Sequence, residues 1–263
     1  MSFSSLTSGS PDNGGAGRRS EKPQSLAHQW TRAWPGGARD ERAPFVHLVS
    51  FDTERFAQLD AAAAPTAGLG WNDSLSRSVP RRQAEFFFGR WAVRAALLAQ
   101  GLPARPVGIG TAREPLWPAE VVGSITHING LAAAAVAPAA TCVGLGLDAE
   151  RVARGEDQAA LRGLAVDERE LKLLRELGDA DLDRWVTIAF SAKESLYKAA
   201  FPTVRRFFGF EAARVASVDP QAGTLVLEIV ELLDERFTPR SQWSVAIEAL
   251  GVDVVLTGLM IEP

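Results

Sequence analysis

Residues 190–198 read Phe-Ser-Ala-Lys-Glu-Ser-Leu-Tyr-Lys and lie at the centre of the longest predicted helix. This helix is predicted over about 181–200, because apolar residues recur at helical spacing along its whole length. The apolar stripe consists of Leu182, Trp185, Ala189, Ala192, Leu196 and Ala199. Pro202 is expected to end the helix, since proline lacks the backbone N–H that the next hydrogen bond needs. Glu194 and Lys198, four positions apart, are predicted to lie on the face opposite this stripe.

The run Val-Gly-Leu-Gly-Leu-Asp-Ala-Glu at 143–150 is predicted to form a strand. Alternate residues of a strand share a face, so Gly144, Gly146, Asp148 and Glu150 are expected on one side and apolar residues on the other. Two glycines before two acids leave room for a ligand beside the carboxylates. Hard oxygen ligands at this spacing suit Mg²⁺. A strand end with solvated acids is the alternative, and the segment by itself leaves it open.

Glu194 and Lys198 also have simpler interpretations. They could form an exposed ion pair, or Glu194 could close a capping box with Ser191 as the N-cap. The continuous apolar stripe argues against a helix start at Ser191, so the exposed pair is the alternative that stays open. A third polar segment, Gly-Ser-Ile-Thr-His at 123–127, places a hydroxyl, backbone donors and an imidazole at a strand end, where an anion can be held. A structural histidine is the alternative there.

Composition and charge limit the class of protein. With 263 residues, the chain is long enough for one large domain or two small ones. Its net charge of −4 argues against nucleic acid as the main partner, because nucleic-acid-binding domains carry a basic face. The single cysteine excludes an internal disulfide framework and a cysteine-based metal cluster. No apolar run has the ~18 residues of a membrane span and the N-terminus lacks a secretory signal, so a cytoplasmic protein is expected.

The chain is predicted to consist of a tail and two halves. Residues 1–44 are rich in Gly, Ser, Pro and Arg without apolar periodicity, which predicts a flexible N-terminal tail. Residues 45–150 are predicted to form a helix and short strands. Residues 151–263 are predicted to form helices and then an antiparallel set of strands. One of the helical patterns in this half covers 157–177. Because helix plus sheet occurs twice, two comparable halves are expected to meet near residue 150.

The early helix carries two arginines of interest. Pro80 suits its first turn, Ser78 is expected to cap it, and the apolar stripe is predicted to reach Leu98. Arg82 and Arg90 lie off this stripe and are ~80° apart around the helix axis. Both are therefore expected to edge the same cleft.

Taken together, five segments make the chain resemble the 4′-phosphopantetheinyl transferases of the enterobactin and surfactin type. They are RQAEFFFGRWAVR at 82–94, PLWP at 115–118, GSITH at 123–127, GLDAE at 146–150 and FSAKESLYKAAFP at 190–202. The resemblance covers residues 80 to 210 and is strongest in the last two segments. It implies an α+β fold with two pseudo-symmetric halves, each a helix packed on a small, mainly antiparallel sheet, and an active site between them.

The resemblance also implies an activity and its partners. The expected enzyme is a holo-carrier-protein synthase, which transfers the 4′-phosphopantetheine group from coenzyme A to a serine of an acyl, peptidyl or aryl carrier protein. It would use Mg²⁺ and release adenosine 3′,5′-bisphosphate. A monomer is expected, because two halves of one chain already make the cleft.

Functional residues carry over to the matching positions. Asp148, Glu150 and Glu194 would bind Mg²⁺ around the diphosphate, and Glu194 would also take the serine proton, directly or through a water. Lys198 would neutralise the diphosphate and favour departure of the nucleotide. Lys193 belongs to the same motif and is expected to have a supporting role.

The coenzyme A site is implied by four further matches. Arg82 and Arg90 match the phosphate-binding arginines of the early helix, and guanidinium groups suit phosphate oxygens. Thr126 and His127 match a phosphate-contacting pair. In one departure, several relatives carry a lysine just before the Pro-x-Trp-Pro segment, whereas this chain has Arg113, which would substitute for it.

The carrier-docking surface is left open by the sequence. Phe207, Phe208 and the region 153–170 are candidates, and core packing is the alternative for each. Two other functions share these residues. One is a non-catalytic module that binds coenzyme A or a carrier protein, and the other is a Mg²⁺-dependent hydrolase of a nucleotide diphosphate.

Overall fold

The computed structural model describes residues 26–35, 43–58 and 69–263. The strands are β1 (Ala27–Arg32), β2 (Val46–Phe51), β3 (Gly108–Ile109), β4 (Pro115–Leu116), β5 (Val121–Ile128), β6 (Leu131–Pro138), β7 (Gly144–Arg151), β8 (Ala213–Asp219), β9 (Thr224–Ile229), β10 (Gln242–Ala249) and β11 (Val254–Ile261). The α-helices are α1 (Thr53–Ala57), α2 (Asp73–Ser76), α3 (Pro80–Ala99), α4 (Gly155–Ala165), α5 (Glu168–Glu176) and α6 (Leu182–Val204). Within these residues, no helix is long and apolar enough to cross a membrane.

The first half packs a helix on a four-stranded antiparallel sheet. The strand order is β1-β2-β6-β5, and α3 lies across β2 and β6. Phe88 of α3 stacks on Phe51 of β2 with 4.5 Å between ring centroids. The alanines of β6 are fully buried, alternately toward α3 and toward the second sheet. Their small side chains allow close packing on both faces, so this alanine-rich run forms a strand.

The second half packs the long helix on a five-stranded antiparallel sheet. The strand order is β7-β11-β10-β9-β8, and α6 lies across β7 and β11. The predicted stripe of α6 is buried at its centre, where Ala189, Ala192, Leu196 and Ala199 have no exposed surface. The predicted α+β fold with two helix-on-sheet halves is therefore confirmed.

Hydroxyl groups of β5 join the two sheets at β7. Ser124 accepts a hydrogen bond from the backbone N–H of Leu147 at 2.9 Å, and Thr126 accepts one from that of Ala149 at 3.0 Å. The other edge of β7 pairs with β11 along its whole length. The predicted boundary at residue 150 assigns this strand to the first half, although it belongs to the second sheet. The division into 45–150 and 151–263 stays a prediction.

The structure gives a different reason from the predicted one for glycine at positions 144 and 146 of β7. A Cβ on Gly146 would lie 1.8 Å from the carbonyl oxygen of Ser195, and one on Gly144 would lie 2.2 Å from that of Ala199. These glycines therefore let the backbone of α6 lie directly on the strand. The prediction that they leave room for a ligand is wrong, because the helix fills that space.

The predicted flexible tail over 1–44 is wrong for Ala27–Arg32, which form β1 and pair with β2. Residues 1–25 and 36–42 lie outside the described residues. The chain after β1 reaches the second sheet, where a Cβ on Gly258 would lie 2.7 Å from the ring of Trp34. Composition missed this strand because backbone hydrogen bonds to an existing sheet edge need no apolar periodicity.

Both long helices have ends that differ from the prediction. The N-cap of α3 is Val79 rather than Ser78, whose hydroxyl instead donates to the carbonyl of Leu75 at 2.6 Å. Helix α6 continues past Pro202 and ends at Val204, and its C-cap Arg205 has a left-handed backbone with φ of 51°. A proline in the last turn removes a single helical hydrogen bond, so the helix tolerates it there.

The helical pattern at 157–177 forms two helices instead of one. The break comes at Asp167, whose side chain accepts a hydrogen bond from the backbone N–H of Glu170, while the Glu170 carboxylate accepts one from that of Asp167, both at 2.8 Å. This capping box starts α5 anew. In α3, Leu98 is exposed and Leu97 is buried, so the predicted stripe is displaced by one residue at its end.

Candidate active site

Asp148 and Lys198 meet where β7 and α6 cross. Lys198 Nζ lies 2.5 Å from Asp148 Oδ1 and donates a second hydrogen bond to the carbonyl of Leu147 at 3.2 Å. Asp148 is 3% exposed, whereas the lysine is half-buried. The interpretation of Glu194 and Lys198 as an exposed surface pair is therefore wrong for the lysine, because its partner is a buried carboxylate of the strand.

Glu150 and Glu194 are half-buried carboxylates beside this ion pair. The pKa of Glu150 is raised to about 7, by burial first and then by the charges of Asp148 and Glu194, with Lys198 acting in the opposite direction. Burial also raises the pKa of Glu194, again against the effect of Lys198. Three carboxylates therefore lie close together with one lysine to balance their charge. A bound cation would stabilise their ionised forms.

The metal site implied by the resemblance is not preassembled. Among the residues that the structure describes, no three His, Cys, Asp or Glu side chains are arranged so that they could hold a metal ion as they stand. Asp148 already contacts Lys198 and two hydroxyls, those of Thr126 at 3.2 Å and Ser191 at 2.8 Å. A Mg²⁺ site built on the three acids stays a prediction.

Arg82 of α3 and His127 of β5 lie next to each other. Arg82 Nη1 is 3.0 Å from His127 Nε2, which must be the acceptor because a guanidinium only donates. The proton of a neutral ring is then on Nδ1, which faces Glu85 Oε2 at 3.5 Å. Burial lowers the pKa of His127, as do Arg82 and Lys198, while Glu85 opposes them. The lowered pKa and the acceptor role of Nε2 both favour the neutral imidazole, which is oriented between an arginine and a carboxylate.

Glu85 is a site neighbour that the sequence reasoning missed. It is buried within the apolar run of α3 and forms ion pairs with Arg81 at 2.8 Å and Arg82 at 3.9 Å. A lone acid inside an apolar run, one turn from two arginines, was the signal that could have identified it.

Arg90 is a buried cation with free donors. The side chain is 7% exposed, lies 5.0 Å from the ring centroid of Phe86, and donates from Nη2 to the carbonyl of Gly108 at 3.2 Å. Its Nε and Nη1 have no hydrogen-bond partner in the described part of the chain. Burial, followed by the charge of Arg82, lowers the pKa of Arg90 to about 10. An unpaired buried guanidinium is costly, and an anion would satisfy it.

The other two coenzyme A candidates have different surroundings. Thr126 is buried, and its hydroxyl contacts Asp148 and the backbone of Ala149, so it joins the sheets in this structure. Arg113 is exposed in the turn between β3 and β4, with a positive φ of 67°. Phosphate contacts by either residue stay predictions.

Lys193 points away from Asp148 into the second half. Its Nζ lies 2.7 Å from Glu170 Oε1 and donates to the carbonyl of Ala165 at 2.7 Å, with both charged side chains almost fully buried. Glu170 also accepts from the backbone N–H of Val215 at 2.7 Å. These contacts hold α4, α5 and β8 to α6, which is a supporting role for the lysine.

An apolar pocket of about 140 Å³ opens beside Glu194. It is lined by Lys193, Glu194, Leu196, Tyr197, Phe207, Phe208, Gly209, Phe210 and Ala213. Phe207 is 78% exposed at its rim, whereas Phe208 is buried in the core of the second half. Of the two phenylalanines considered for carrier docking, Phe208 is therefore a core residue.

Comparisons with known proteins agree with this arrangement. A family model described as the 4′-phosphopantetheinyl transferase N-terminal domain matches residues 72–137, and one described as the 4′-phosphopantetheinyl transferase superfamily matches 144–255. The 4′-phosphopantetheinyl transferase Svp of Streptomyces mobaraensis is 39% identical over 185 residues, which cover 70% of this chain and 74% of that protein.

Two further relatives come from other genera. Enterobactin synthase component D of Salmonella typhi is 32% identical over 200 residues, or 75% of this chain and 80% of that protein. The 4′-phosphopantetheinyl transferase Npt of Nocardia iowensis is 36% identical over 167 residues, or 59% and 71%. The chain therefore belongs to the 4′-phosphopantetheinyl transferase superfamily, and it transfers the 4′-phosphopantetheine group from coenzyme A to a carrier protein.

Proposed function

We propose that Asp148, Glu150, Glu194 and Lys198 form the reaction centre of this transferase. The observation that carries the proposal is the 2.5 Å contact between Asp148 on β7 and Lys198 on α6, beside two further carboxylates. Strand and helix thus bring acids and a cation together where β7 and α6 cross. Such a centre acts mainly by positioning a diphosphate and stabilising its charge.

The three acids are also the proposed ligands of a Mg²⁺ ion. Mg²⁺ keeps several waters and takes its remaining ligands from one or two carboxylates and from substrate phosphates, so it does not need a complete protein cage. The incompletely compensated charge of Glu150 and Glu194 supports this fit, since burial and neighbouring acids raise their pKa values. When bound, the ion would stabilise negative charge on the diphosphate oxygens.

The residues of this chain have distinct proposed roles in the transfer. Glu194 accepts the proton of the attacking serine, directly or through a water. The serine oxygen bonds to the phosphorus that carries pantetheine, and the P–O bond to the adjoining phosphate breaks. Lys198 stabilises the charge on the departing adenosine 3′,5′-bisphosphate. Atoms and charge balance because the serine proton passes to Glu194 as the nucleotide leaves.

Arg82 and Arg90 are the proposed phosphate-binding residues for coenzyme A, and a phosphate contact by His127 stays a prediction. The unpartnered Nε and Nη1 of Arg90 support this role, because a phosphate oxygen would satisfy donors that are otherwise buried without an acceptor. Arg82 is half-exposed and oriented by His127 and Glu85, so its guanidinium is accessible from solvent. The choice of carrier protein, a monomeric state and a cytoplasmic location stay predictions.

The activity is tested by incubating the purified chain with coenzyme A, Mg²⁺ and a panel of apo carrier proteins. The expected result is a mass gain of one phosphopantetheine group on at least one carrier, together with an equal amount of adenosine 3′,5′-bisphosphate. Phosphopantetheine released free in solution would instead support the hydrolase. Coenzyme A binding without any nucleotide product would support the non-catalytic module.

Asp148→Ala is expected to raise the Mg²⁺ concentration needed for half-maximal rate by about tenfold or more, because a metal-binding carboxylate is lost. The measurement is a Mg²⁺ titration of the initial rate at saturating coenzyme A. Asp181→Ala is the control, since it removes an exposed acid just before the same helix. An unchanged titration for Asp148→Ala would argue against ligation by this residue.

A further inference from the structure

The two oxygens of the buried Asp148 carboxylate have different surroundings. Oδ1 faces Lys198 Nζ at 2.5 Å and Thr126 Oγ1 at 3.2 Å. Oδ2 accepts a hydrogen bond from Ser191 Oγ at 2.8 Å. One oxygen therefore faces the partly exposed Lys198, and the other faces a hydroxyl of α6 with no exposed surface.

Ser191 belongs to a chain of three fully buried hydroxyls. Its Oγ is 2.9 Å from Thr257 Oγ1 on β11, and Ser195 Oγ is 2.8 Å from the same atom. Ser195 Oγ also lies 3.1 Å from the carbonyl oxygen of Thr257. The chain runs from Ser195 through Thr257 to Ser191 and ends on the carboxylate.

Proton accounting determines the direction of this chain. Each hydroxyl has one proton to donate, and an ionised carboxylate only accepts. Ser191 therefore gives its proton to Asp148 and accepts from Thr257, whose own proton is then used. Ser195 consequently donates to Thr257, where its one proton is shared between the hydroxyl and the carbonyl oxygen. The hydroxyl next to the carboxylate is held by β11 in the orientation that the carboxylate needs.

We infer that Ser191 is a positioning residue, which fixes the rotation of the Asp148 carboxylate so that Oδ1 stays turned toward Lys198 and the cleft. The inference rests on the proposed role of Asp148. Without the Ser191 hydroxyl, Oδ2 would be a buried acceptor without a hydrogen-bond donor. The carboxylate would then rotate toward a different donor. Ser191 acts through Asp148 and does not itself touch the substrate.

Ser195 is a matched control for this role. It lies one turn further along α6, is buried to the same extent and donates into the same chain of hydroxyls, but it does not contact Asp148. Removing either hydroxyl removes buried hydrogen bonds, so both alanine variants should lose stability. Only the loss of the Ser191 hydroxyl should also change the orientation of Asp148 in the reaction centre.

The experiment compares Ser191→Ala and Ser195→Ala by melting temperature and by steady-state kinetics with coenzyme A, Mg²⁺ and an apo carrier protein. Both variants are expected to melt at similarly lowered temperatures. Ser191→Ala is expected to lower kcat about tenfold or more, with the KM for the carrier unchanged, as for the loss of a group that orients a ligand residue. Ser195→Ala is expected to keep nearly the parent kcat. Equal kcat values for the two variants would overturn the inference.

A second measurement tests whether Ser191 acts through Asp148. Coenzyme A binding is followed by calorimetry in the presence of Mg²⁺, with Ser191→Ala in the parent and in an Asp148→Asn background. Ser191→Ala is expected to weaken coenzyme A binding when Asp148 is present. In the Asp148→Asn background it should have no further effect on binding, because the two residues act as one unit. Equal weakening in both backgrounds would overturn the inference. Where the alanine variant fails to fold, Ser191→Cys serves both measurements, since a thiol has nearly the same size and donates weakly.

The outcomes separate this inference from the proposed function. An active Asp148→Ala enzyme with an unchanged Mg²⁺ titration would remove the proposed role of Asp148, and the inference with it. An impaired Asp148→Ala enzyme beside a Ser191→Ala enzyme of normal kcat would overturn the inference alone.

Discussion

Glu194→Gln is expected to lower kcat for phosphopantetheine transfer by about 10²–10⁴-fold, the usual contribution of a positioned general base. Glutamine has the size of glutamate and cannot accept the serine proton. Burial raises the pKa of the Glu194 carboxyl group, which makes its carboxylate a better proton acceptor than a solvated one. The measurement is the rate of mass gain on an apo carrier protein at saturating coenzyme A and Mg²⁺.

The loss should be confined to chemistry. The melting temperature of Glu194→Gln and much of its affinity for coenzyme A should be retained, because the amide fills the same space beside the pocket. Glu176→Gln, an exposed substitution of the same kind at the end of α5, is the control and should leave kcat unchanged. Full turnover by Glu194→Gln would show that another group takes the proton.

Gly146→Ala is expected to reduce the free energy of unfolding by about 3 kcal/mol, at the upper end for overpacking a core. The added Cβ would lie 1.8 Å from the carbonyl oxygen of Ser195 and 3.0 Å from the backbone nitrogen of Ala199. Both contacts are to backbone, so α6 as a whole must move away from β7. Because α6 carries Glu194 and Lys198, activity should fall together with stability. Urea unfolding and the transfer assay measure the two effects.

Gly163→Ala is the matched control for this substitution. Gly163 lies within α4, and nothing lies within 4 Å of a Cβ added there. Alanine should stabilise this helix by about 0.5–1 kcal/mol, since glycine is the weaker helix former. Equal stability of Gly146→Ala and the parent would contradict the close approach of helix and strand.

Patterns of apolar residues were sufficient to predict the main elements and their faces. The stripe of α6 and the alternation along β7 both have their apolar sides in the core, as expected from periods of 3.6 and 2 residues. The same alternation placed Asp148 on the side of β7 opposite its apolar residues, and the structure shows that α6 packs on that side. These patterns could not identify the atoms that pack against each face, because the spacing of apolar residues describes a single helix or strand and not its neighbours.

Predictions for single residues failed where the surroundings of the side chain come from a segment that is distant in sequence. Arg90 was expected at a cleft edge, and it is buried under the chain near Gly108. Asp148 and Ser191 are 43 residues apart in sequence, and their hydrogen bond exists only because α6 crosses β7. Neither contact has a local signal, since each depends on where another element packs.

By itself, the sequence determined the fold class and the transferase family, because these depend on periodicity and on local motifs. It also identified the acids and the lysine as candidate site residues. Tertiary structure alone decided that the β7 glycines admit a helix rather than a ligand, that Ala27–Arg32 complete a sheet edge, and that buried hydroxyls hold Asp148. The physical reason is the same in each case. A side chain's role depends on the atoms packed against it, and those atoms come from parts of the chain far away in sequence.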